Sequence, residues 1–416
     1  MQRHAALFYI GETMNLKYDA VIIGGGASGL MCAIAAKRKN QNLKVAVIEK
    51  NDRVGKKLLS TGNGRCNLTN MNVRADKYIG SFQKQSASIF EKYDAEALLG
   101  YFNELGLVTC ADSEGRVYPL CRQATSVLDV LRFQCENLGV DIFCAQTVKS
   151  IKHSNTFTVT TAEHSFTSDK LVIAAGSKAA PKLGGNGSCA DYLKNLGHSF
   201  VPFSPALCPV IVNSDVLKSL KGLRANAEVR LIRDGKNIKA ERGEIQFNED
   251  NLSGICVFDL SLYSKSGDEI SLDLTPDIST EELCIFLSKN KIRFANQTAD
   301  NILTGVLQKR LSQAVMKQAG VKGFNSLCSD LSDNTIRNIA NAAKHMSFTV
   351  TDNGGFDRAQ ACKGGVMGSE IDEATMQSRI CNNLYVCGEA IDLCGECGGY
   401  NLHFAFASGI IAGESL

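Results

Sequence analysis

The chain has 416 residues, of which 44% are hydrophobic and 21% are charged, so it can bury a large core and should divide into two or three domains. Its 45 basic and 43 acidic residues give a formal charge of +2, which provides no electrostatic argument for binding to nucleic acid or to an anionic membrane. The 16 cysteines are scattered singly, a pattern that favours reduced thiols in a cytoplasmic protein over a disulfide framework.

The first predicted elements are a strand, a glycine-rich turn and a helix. Residues 1–16 are predicted to be a leader, and a buried strand over 20–23 follows them. In the turn, Gly24 permits a tight bend, Gly26 lets backbone amides approach a pyrophosphate, and Gly29 lets the helix pack closely on the strand. This spacing predicts a dinucleotide site.

A second strand supplies the acid that such a site requires. It covers 45–48 and ends in Glu49, which is placed to accept a hydrogen bond from a ribose 2′-hydroxyl. Ala27 and Ser28, at the start of the helix, and Lys50, after the acid, are predicted to contact the same cofactor. The flanking strands and the acid separate this motif from an ordinary glycine-rich turn.

The next segments predict helices and then a return to the same sheet. The loop over 52–72 is rich in lysine and glycine, and a turn at 114–119 separates two helical patterns. The period of the pattern then changes to two, which indicates short strands. The predicted helices cover 83–105 and 124–138, and the predicted strands cover 142–144, 156–160 and 170–176.

The pattern changes again between residues 201 and 343, where strand-like segments precede helical ones. This order is typical of an inserted α+β part. The predicted division is therefore a cofactor domain formed by 17–200 and 344–416, a β-rich subdomain over 201–278 and a helical subdomain over 279–343.

The C-terminal part contains a second strand that ends in glycine and an acid, Gly388 and Glu389. A second strand of this kind suits a cofactor that crosses the sheet, and FAD is a cofactor with such a tail. The final helix could offer free N–H groups and a partial positive charge to a flavin carbonyl, or it could simply pack under the sheet. The residues that open this helix, and that are predicted to contact the cofactor, are Gly399, Tyr400, Asn401 and Leu402.

The loop over 55–70 closely resembles the signature loop of the BaiN/YhiN-type flavoproteins, also labelled the aminoacetone oxidase family. Its sequence is Gly-Lys-Lys-Leu-Leu-Ser-Thr-Gly-Asn-Gly-Arg-Cys-Asn-Leu-Thr-Asn, and segments 115–119, 252–254 and 355–366 match the same family. The resemblance extends over nearly the whole chain from residue 18. It implies an α/β fold with a glutathione-reductase-like FAD-binding Rossmann domain, split by the β-rich and the helical subdomains.

The resemblance also implies where the cofactor would lie. Lys56 or Lys57 is expected near the pyrophosphate, Val148 is expected to contact adenine through its backbone, and Ala175 and Gly176 are expected close to FAD. The loop residues expected toward the flavin are Thr61, Gly62, Arg65, Cys66 and Asn67.

The chain departs from the family pattern at Cys394 and Cys397, which form a C-x-x-C motif. These cysteines could be a redox-active pair beside the flavin, part of a labile metal site with Cys381 or Cys387, or incidental substitutions. We expect them to be incidental, and no metal site is predicted.

The resemblance implies an FAD-dependent oxidoreductase. We expect an NAD(P)H-linked reductase of an activated C=C bond in a small hydrophobic substrate of the steroid or bile-acid type. No second nucleotide fingerprint is visible over 201–343, so NAD(P)H would bind transiently, or the electrons would come from another donor. Candidate proton donors are Tyr118, Cys66 and Tyr400, each with a packing role as the alternative.

Three other functions remain open from the sequence: an amine oxidase of the aminoacetone type that uses O₂, a flavin-dependent RNA-modifying or RNA-binding protein, and a redox sensor without turnover. The predicted partner is a small-molecule substrate, with no nucleic acid and no membrane. The sequence gives no indication of an oligomeric state.

Overall fold

The computed structural model describes residues 14–416. It contains two compact units, one formed by the chain up to Ser204 together with Ala361–Leu416, and the other by Pro205–Gln360. We call them the first unit and the second unit.

The strands, in chain order, are β1 (Met14–Ile23), β2 (Val45–Ile48), β3 (Thr69–Asn70), β4 (Tyr78–Ile79), β5 (Thr109–Ala111), β6 (Arg116–Pro119), β7 (Asp141–Phe143), β8 (Ser150–His153), β9 (Phe157–Thr160), β10 (His164–Ile173), β11 (Phe200–Ala206), β12 (Val210–Asn213), β13 (Arg224–Arg233), β14 (Lys236–Phe247), β15 (Asn251–Ser253), β16 (Glu269–Asp273), β17 (Met346–Asn353), β18 (Ala361–Val366), β19 (Leu384–Val386) and β20 (Cys394–Gly395).

The helices are α1 (Ala27–Lys39), α2 (Lys56–Ser60), α3 (Gln83–Lys92), α4 (Ala95–Glu104), α5 (Ala124–Asn137), α6 (Cys189–Asn195), α7 (Leu217–Leu220), α8 (Ile255–Ser261), α9 (Thr280–Arg293), α10 (Lys309–Gln318), α11 (Asp333–Lys344), α12 (Gly355–Arg358) and α13 (Tyr400–Glu414). In the described part of the chain, we find no helix with the length and apolar character needed to cross a membrane.

The first unit is built on a seven-stranded sheet in the order β7-β2-β1-β10-β9-β8, with β19 also paired to β10. Strands β7, β2, β1, β10 and β19 are parallel, and β10, β9 and β8 form an antiparallel meander. The C-terminal parts of the central strands, residues 20–23 and 171–173, and all of β2 are apolar and buried, as parallel strands between helices usually are. The predicted α/β class and its Rossmann-type arrangement are confirmed.

Helices α1 and α13 pack closely because α13 has glycine at the contact. A Cβ at Gly409 would meet the backbone of Ser28, and one at Gly413 would overlap the carbonyl oxygen of Cys32. The C-terminal helix therefore lies directly on the helix that follows the glycine-rich turn.

The second unit contains a closed barrel in the order β12-β15-β14-β13-β16-β17. Helices α9, α10 and α11 share one hydrophobic core with this barrel. The β-rich and helical parts that were predicted as separate subdomains thus lie in one compact unit.

Two predicted boundaries differ from the structure. Strand β17 pairs with β12 and β16, so the second unit continues beyond the predicted limit at residue 343. The predicted helix over 83–105 is two helices, because Asp94 caps α4 by accepting a hydrogen bond from the backbone N–H of Ala97 at 2.8 Å. Of the predicted leader, residues 1–13 lie outside the described residues, and residues 14–16 belong to β1.

Candidate active site

The glycine-rich turn between β1 and α1 leaves an open space in front of Gly26. Gly24 has φ +111°, and a Cβ there would overlap the carbonyl oxygen of Ala174, while a Cβ at Gly29 would overlap the carbonyl oxygen of Gly24. At Gly26, by contrast, a Cβ would have no atom within 4 Å. Helix α1 begins here without a side-chain cap and without an acid in its first turn, so its free N–H groups suit a phosphate.

Glu49 is buried and holds the glycine-rich turn against the end of β2. Its Oε2 accepts from the backbone N–H of Gly25 at 2.8 Å, and its Oε1 accepts from the backbone and side chain of Asn51 at 2.8 and 2.7 Å. A carboxylate oxygen has two lone pairs, so Oε2 retains one for a ribose hydroxyl. Next to it, burial lowers the pKa of the half-buried Lys50, which makes no ion pair with a described residue. A partly desolvated cation at this position also suits an anionic ligand.

Val148 lies in the segment that runs past Glu49. The backbone N–H of Gln146 donates to the carbonyl of Glu49 at 2.9 Å, and the carbonyl of Val148 accepts from the Tyr192 hydroxyl at 3.2 Å. Its predicted adenine contact stays a prediction.

Three segments meet at Glu389, in the turn after β19. Lys57 Nζ lies 2.6 Å from Glu389 Oε2, and the Ser177 hydroxyl donates to the same oxygen at 3.1 Å. Gly176 has φ +69°, and a Cβ there would lie 3.9 Å from Glu389 Oε2. Lys56 instead pairs with Asp52, so Lys57 is the lysine that joins this cluster.

Ala175 and Gly388 lie beside the same cluster. Ala175 lies in the segment that follows β10, directly before Gly176 in the chain, and it is partly buried. A Cβ at Gly388 would lie 2.6 Å from the hydroxyl oxygen of Ser28, so the turn after β19 approaches the first turn of α1. Ala27 is the first residue of that turn.

The loop after α2 has several residues in the left-handed conformation, including Gly62 at φ +56° and Cys66 at φ +56°. The Thr61 hydroxyl donates to the carbonyl of Leu58 at 2.6 Å and so fixes the start of the loop. Cys66 is fully buried, and burial raises the pKa of its thiol to about 12. A thiol that holds its proton this firmly is a poor acid at neutral pH, which argues against Cys66 as the proton donor.

Asn67 carries a buried side-chain oxygen, Oδ1, that has no hydrogen-bond partner. A Cβ at Gly399 would lie 2.8 Å from this oxygen, which places Asn67 at the start of α13. Gly399, at φ +102°, is the N-cap of α13, and the helix has no side-chain cap and no acid in its first turn. A buried acceptor beside a helix N-terminus without a side-chain cap suits a ligand edge that offers both a hydrogen-bond donor and acceptors.

The isoalloxazine ring of FAD presents such an edge, with an N–H group between two carbonyls. Together with the open space at Gly26, the unpaired Asn67 oxygen means that the residues present fit FAD. Gly26, Glu49, Lys50 and Asn67 would hold it, with the first turns of α1 and α13.

The other residues at the start of α13 are held by neighbouring loops. Tyr400 is buried, and its carbonyl accepts from the Tyr78 hydroxyl at 2.8 Å. The side chain of Asn401 bonds to both the N–H and the carbonyl of Gly395, at 2.9 and 2.8 Å. Leu402 is partly buried against the core. Any contact of Asn401 with a cofactor would therefore use its backbone.

The C-x-x-C motif lies in the loop that Asn401 holds. Cys394 is fully buried, and burial raises the pKa of its thiol, whereas Cys397 is partly buried. Glu396 between them pairs with Lys77 at 3.0 Å. Within residues 14–416, no group of three or more His, Cys, Asp or Glu side chains is arranged to hold a metal ion. Because the reactive form of cysteine is the thiolate, the burial of Cys394 argues against a redox pair.

Tyr118 lies on β6, beside the loop after α2. The residue is 4% exposed, and a Cβ at Gly62 would lie 3.6 Å from its Cε1. Its hydroxyl makes no hydrogen bond to any residue in the described part of the chain. The guanidinium carbons of Arg65 and Arg122 lie 5.2 and 5.3 Å from the centre of the ring. Arg122 was not predicted from the sequence, because its only signal is its place just after the turn at Pro119.

The chain is similar to known flavoproteins over nearly all of its length. It matches the family described as "HI0933-like protein Rossmann domain" over residues 18–415. It is 32% identical over 401 residues to a 3-dehydro-bile acid delta(4,6)-reductase of Clostridium scindens, covering 95% of this chain and 98% of the relative. It is 28% identical over 422 residues to a ribosomal RNA dihydrouridine synthase of Escherichia coli, covering 96% and 98%.

A solved structure shares the fold. It is a 3-ketosteroid-delta4-(5alpha)-dehydrogenase from Rhodococcus jostii in complex with 4-androstene-3,17-dione, with a TM-score of 0.50 and 12% identity over 99% of this chain and 98% of that one. At this identity the likeness concerns the fold alone.

Proposed function

Because the chain belongs to the HI0933-like family of FAD-dependent Rossmann-fold oxidoreductases, we propose that it reduces a C=C bond conjugated to a carbonyl group. This membership confirms the resemblance to the BaiN/YhiN-type flavoproteins. The proposed substrate is a small hydrophobic molecule of the steroid or bile-acid type, and NAD(P)H is the proposed electron donor.

The observation that carries this proposal is the 32% identity to a bile acid delta(4,6)-reductase over 95% of the chain. The second relative, at 28% identity, is named for making dihydrouridine. Dihydrouridine forms from uridine when the ring C=C bond that is conjugated to a carbonyl is reduced to a single bond. The two names thus describe different substrates but the same type of bond, and both support the proposed reduction of a conjugated C=C bond.

The residues of the site have separate tasks in this reaction. When bound, FAD supplies the electron pair that saturates the double bond. Helix α1 and Gly26 bind the phosphates, and Asn67 with the N-terminus of α13 orients the ring. Tyr118 holds a proton on a hydroxyl that no described residue engages, and we propose that it delivers this proton to the carbon next to the carbonyl.

An anaerobic experiment tests the proposal. The yellow protein is mixed under nitrogen with NADH or NADPH, and the visible absorption band of the flavin should bleach. Adding a 3-oxo-Δ4 steroid should then restore the colour and give a product heavier by two hydrogens. Bleaching by an amine instead, with recolouring in air, would indicate the amine oxidase, and bleaching without any product would indicate a redox sensor.

The second candidate is a flavin-dependent enzyme that modifies RNA, favoured by the 28% identity over 96% of this chain to the ribosomal RNA dihydrouridine synthase. It predicts that ribosomal RNA, and not the steroid, restores the colour. It also predicts RNA binding that weakens steeply with salt, which the formal charge of +2 does not favour.

A further inference from the structure

We propose that Arg65 and Arg122 form an oxyanion clamp beside Tyr118 that stabilises the negative charge on the carbonyl oxygen of the substrate while its conjugated double bond is reduced. The substrate and the reaction in this inference rest on the proposed function. The clamp itself rests on the geometry around Tyr118, and it would bind a planar oxyanion in any case.

Both guanidinium groups converge on one aromatic ring. Their Cζ atoms lie 5.2 Å (Arg65) and 5.3 Å (Arg122) from the centre of the Tyr118 ring. The ring attracts each cation, and both arginines are exposed, so water weakens the repulsion between them and leaves their guanidinium groups accessible. An anion bound at this ring would be attracted by both charges.

The charge of a neighbouring arginine, Arg116, is neutralised by carboxylates, unlike those of Arg65 and Arg122. Arg116 lies on the same strand as Tyr118 and pairs with Asp112 at 2.8 Å and with Glu114 at 3.0 Å. Among the described residues, neither Arg65 nor Arg122 has a carboxylate within ion-pair distance. Arg65 uses only its Nε, which donates to a backbone carbonyl at 3.1 Å, so both of its Nη groups remain available.

The backbone holds Arg122 in place. Its φ is +54°, in the left-handed region that disfavours side chains, and its N–H donates to the carbonyl of Pro119 at 2.8 Å. Strain of this kind persists where the surrounding structure enforces it, and it concentrates at functional sites. The turn after β6 thus brings Arg122 to the ring that Arg65 reaches from the loop after α2.

The chemistry of the proposed reaction requires such a group. When the β-carbon of an enone gains an electron pair and a proton, the C=C electron pair moves toward the carbonyl, and its oxygen becomes negative. Tyr118 then gives a proton to the α-carbon, the C=O bond re-forms, and the net gain is two electrons and two protons. Guanidinium groups are well suited to hold a planar oxyanion in the intervening state.

The test uses 4-nitrophenol, whose phenolate is a planar oxyanion with its own visible band, added to the flavin-loaded protein near neutral pH. We expect the ratio of phenolate to phenol to be about tenfold higher for the bound probe than in water. The ratio should fall about tenfold in Arg65→Gln and in Arg122→Gln, and Arg122→Lys should restore part of it. Arg132→Gln is the control, because Arg132 is exposed and has a partner, Asp129, at 3.5 Å.

The outcomes separate the clamp from the proposed function. An unchanged phenolate ratio on the native protein, or equal ratios in all variants, would overturn the clamp, with far-UV circular dichroism and flavin content confirming that each variant is folded. A ratio that depends on both arginines supports the clamp. If the ratio shows this dependence and no enone is reduced, the oxyanion site stands and the proposed reaction is wrong.

Discussion

At the scale of single residues, the site depends on groups that the folded chain leaves without partners. Asn67 Oδ1 is buried without a donor, and the Tyr118 hydroxyl makes no hydrogen bond to a described residue. Cys66, in contrast, is fully buried with a raised pKa. The loop after α2 thus contains a side-chain oxygen, Asn67 Oδ1, that can accept a hydrogen bond from a ligand, and a buried thiol, Cys66, that packs in the core.

Replacing Tyr118 with Phe should lower kcat for enone reduction by about 10²–10³-fold, because the variant lacks the proposed acid. Flavin content and substrate affinity should stay near the native values, since phenylalanine keeps the ring that both arginines contact. Tyr101→Phe is the matched control, because Arg38 lies 4.7 Å over the Tyr101 ring in a similar contact. Native turnover in Tyr118→Phe would assign the proton to another donor.

A buried histidine should make the stability depend on pH. His403 Nε2 donates to the carbonyl of Tyr93 at 2.9 Å, and Nδ1 lies 2.7 Å from the Thr69 hydroxyl oxygen. Burial lowers the pKa of His403 to about 4, below the ordinary value near 6.5 of an unfolded chain. The unfolded state therefore binds a proton first, and this contribution to stability is complete above about pH 6.5 and is lost as the pH falls toward 4.

The loss should amount to roughly 3 kcal/mol, which urea unfolding at pH 7.5 and at pH 4.5 can measure. Other groups also titrate in this range, so the quantity to compare is the difference between the native protein and His403→Gln. The variant should lose less stability on acidification. An identical pH dependence in the two proteins would contradict the assignment.

At the scale of elements, helix α1, which follows the glycine-rich turn, packs directly on the C-terminal helix α13. Gly409→Ala should destabilise the protein by about 1–3 kcal/mol, because the new methyl group meets the backbone of Ser28. Gly100→Ala, in α4, should be neutral or stabilising by up to about 1 kcal/mol, since a Cβ there has no atom within 4 Å. Thermal unfolding of both variants with flavin bound measures the two effects, and equal melting temperatures would contradict this account.

The elements also show how far the sequence predicts the fold and the site. The turn at Gly24, the acid at Glu49 and the strand before Gly388 were visible because each is a local pattern with a required residue type. Arg122 was missed because it lies in the turn after β6, where no local motif marks it, and only the folded chain brings Arg65 from the loop after α2 to the same ring. The boundary at 343 was too early because β17 closes the barrel only by pairing with β12, a contact that no local pattern reveals.

At the scale of the whole molecule, the chain divides into two units with separate cores. The ends of the second unit meet, since the backbone N–H of Gly354 donates to the carbonyl of Pro209 at 2.8 Å and β12 pairs with β17. A unit with a closed barrel, its own core and adjacent ends has what an independent domain needs.

Residues 205–360, produced alone, should therefore fold and unfold cooperatively on heating. The fragment should be colourless, because Gly26, Glu49 and Asn67 belong to the first unit. Circular dichroism at increasing temperature checks the first expectation, and absorbance after mixing with FAD checks the second. A gradual, non-cooperative melt would mean that the second unit needs the rest of the chain.

The sheet of the first unit takes β19 from beyond the second unit, and α13 covers α1 from the same distal segment. During synthesis, the ribosome makes β1, β2 and β10 long before it makes their last partners. The barrel between them can be finished while the earlier strands still have an open edge on β10. Folding on the ribosome should accordingly run out of chain order, with flavin uptake as one of the final events, and chaperones would have most to protect in the interval before β19 emerges.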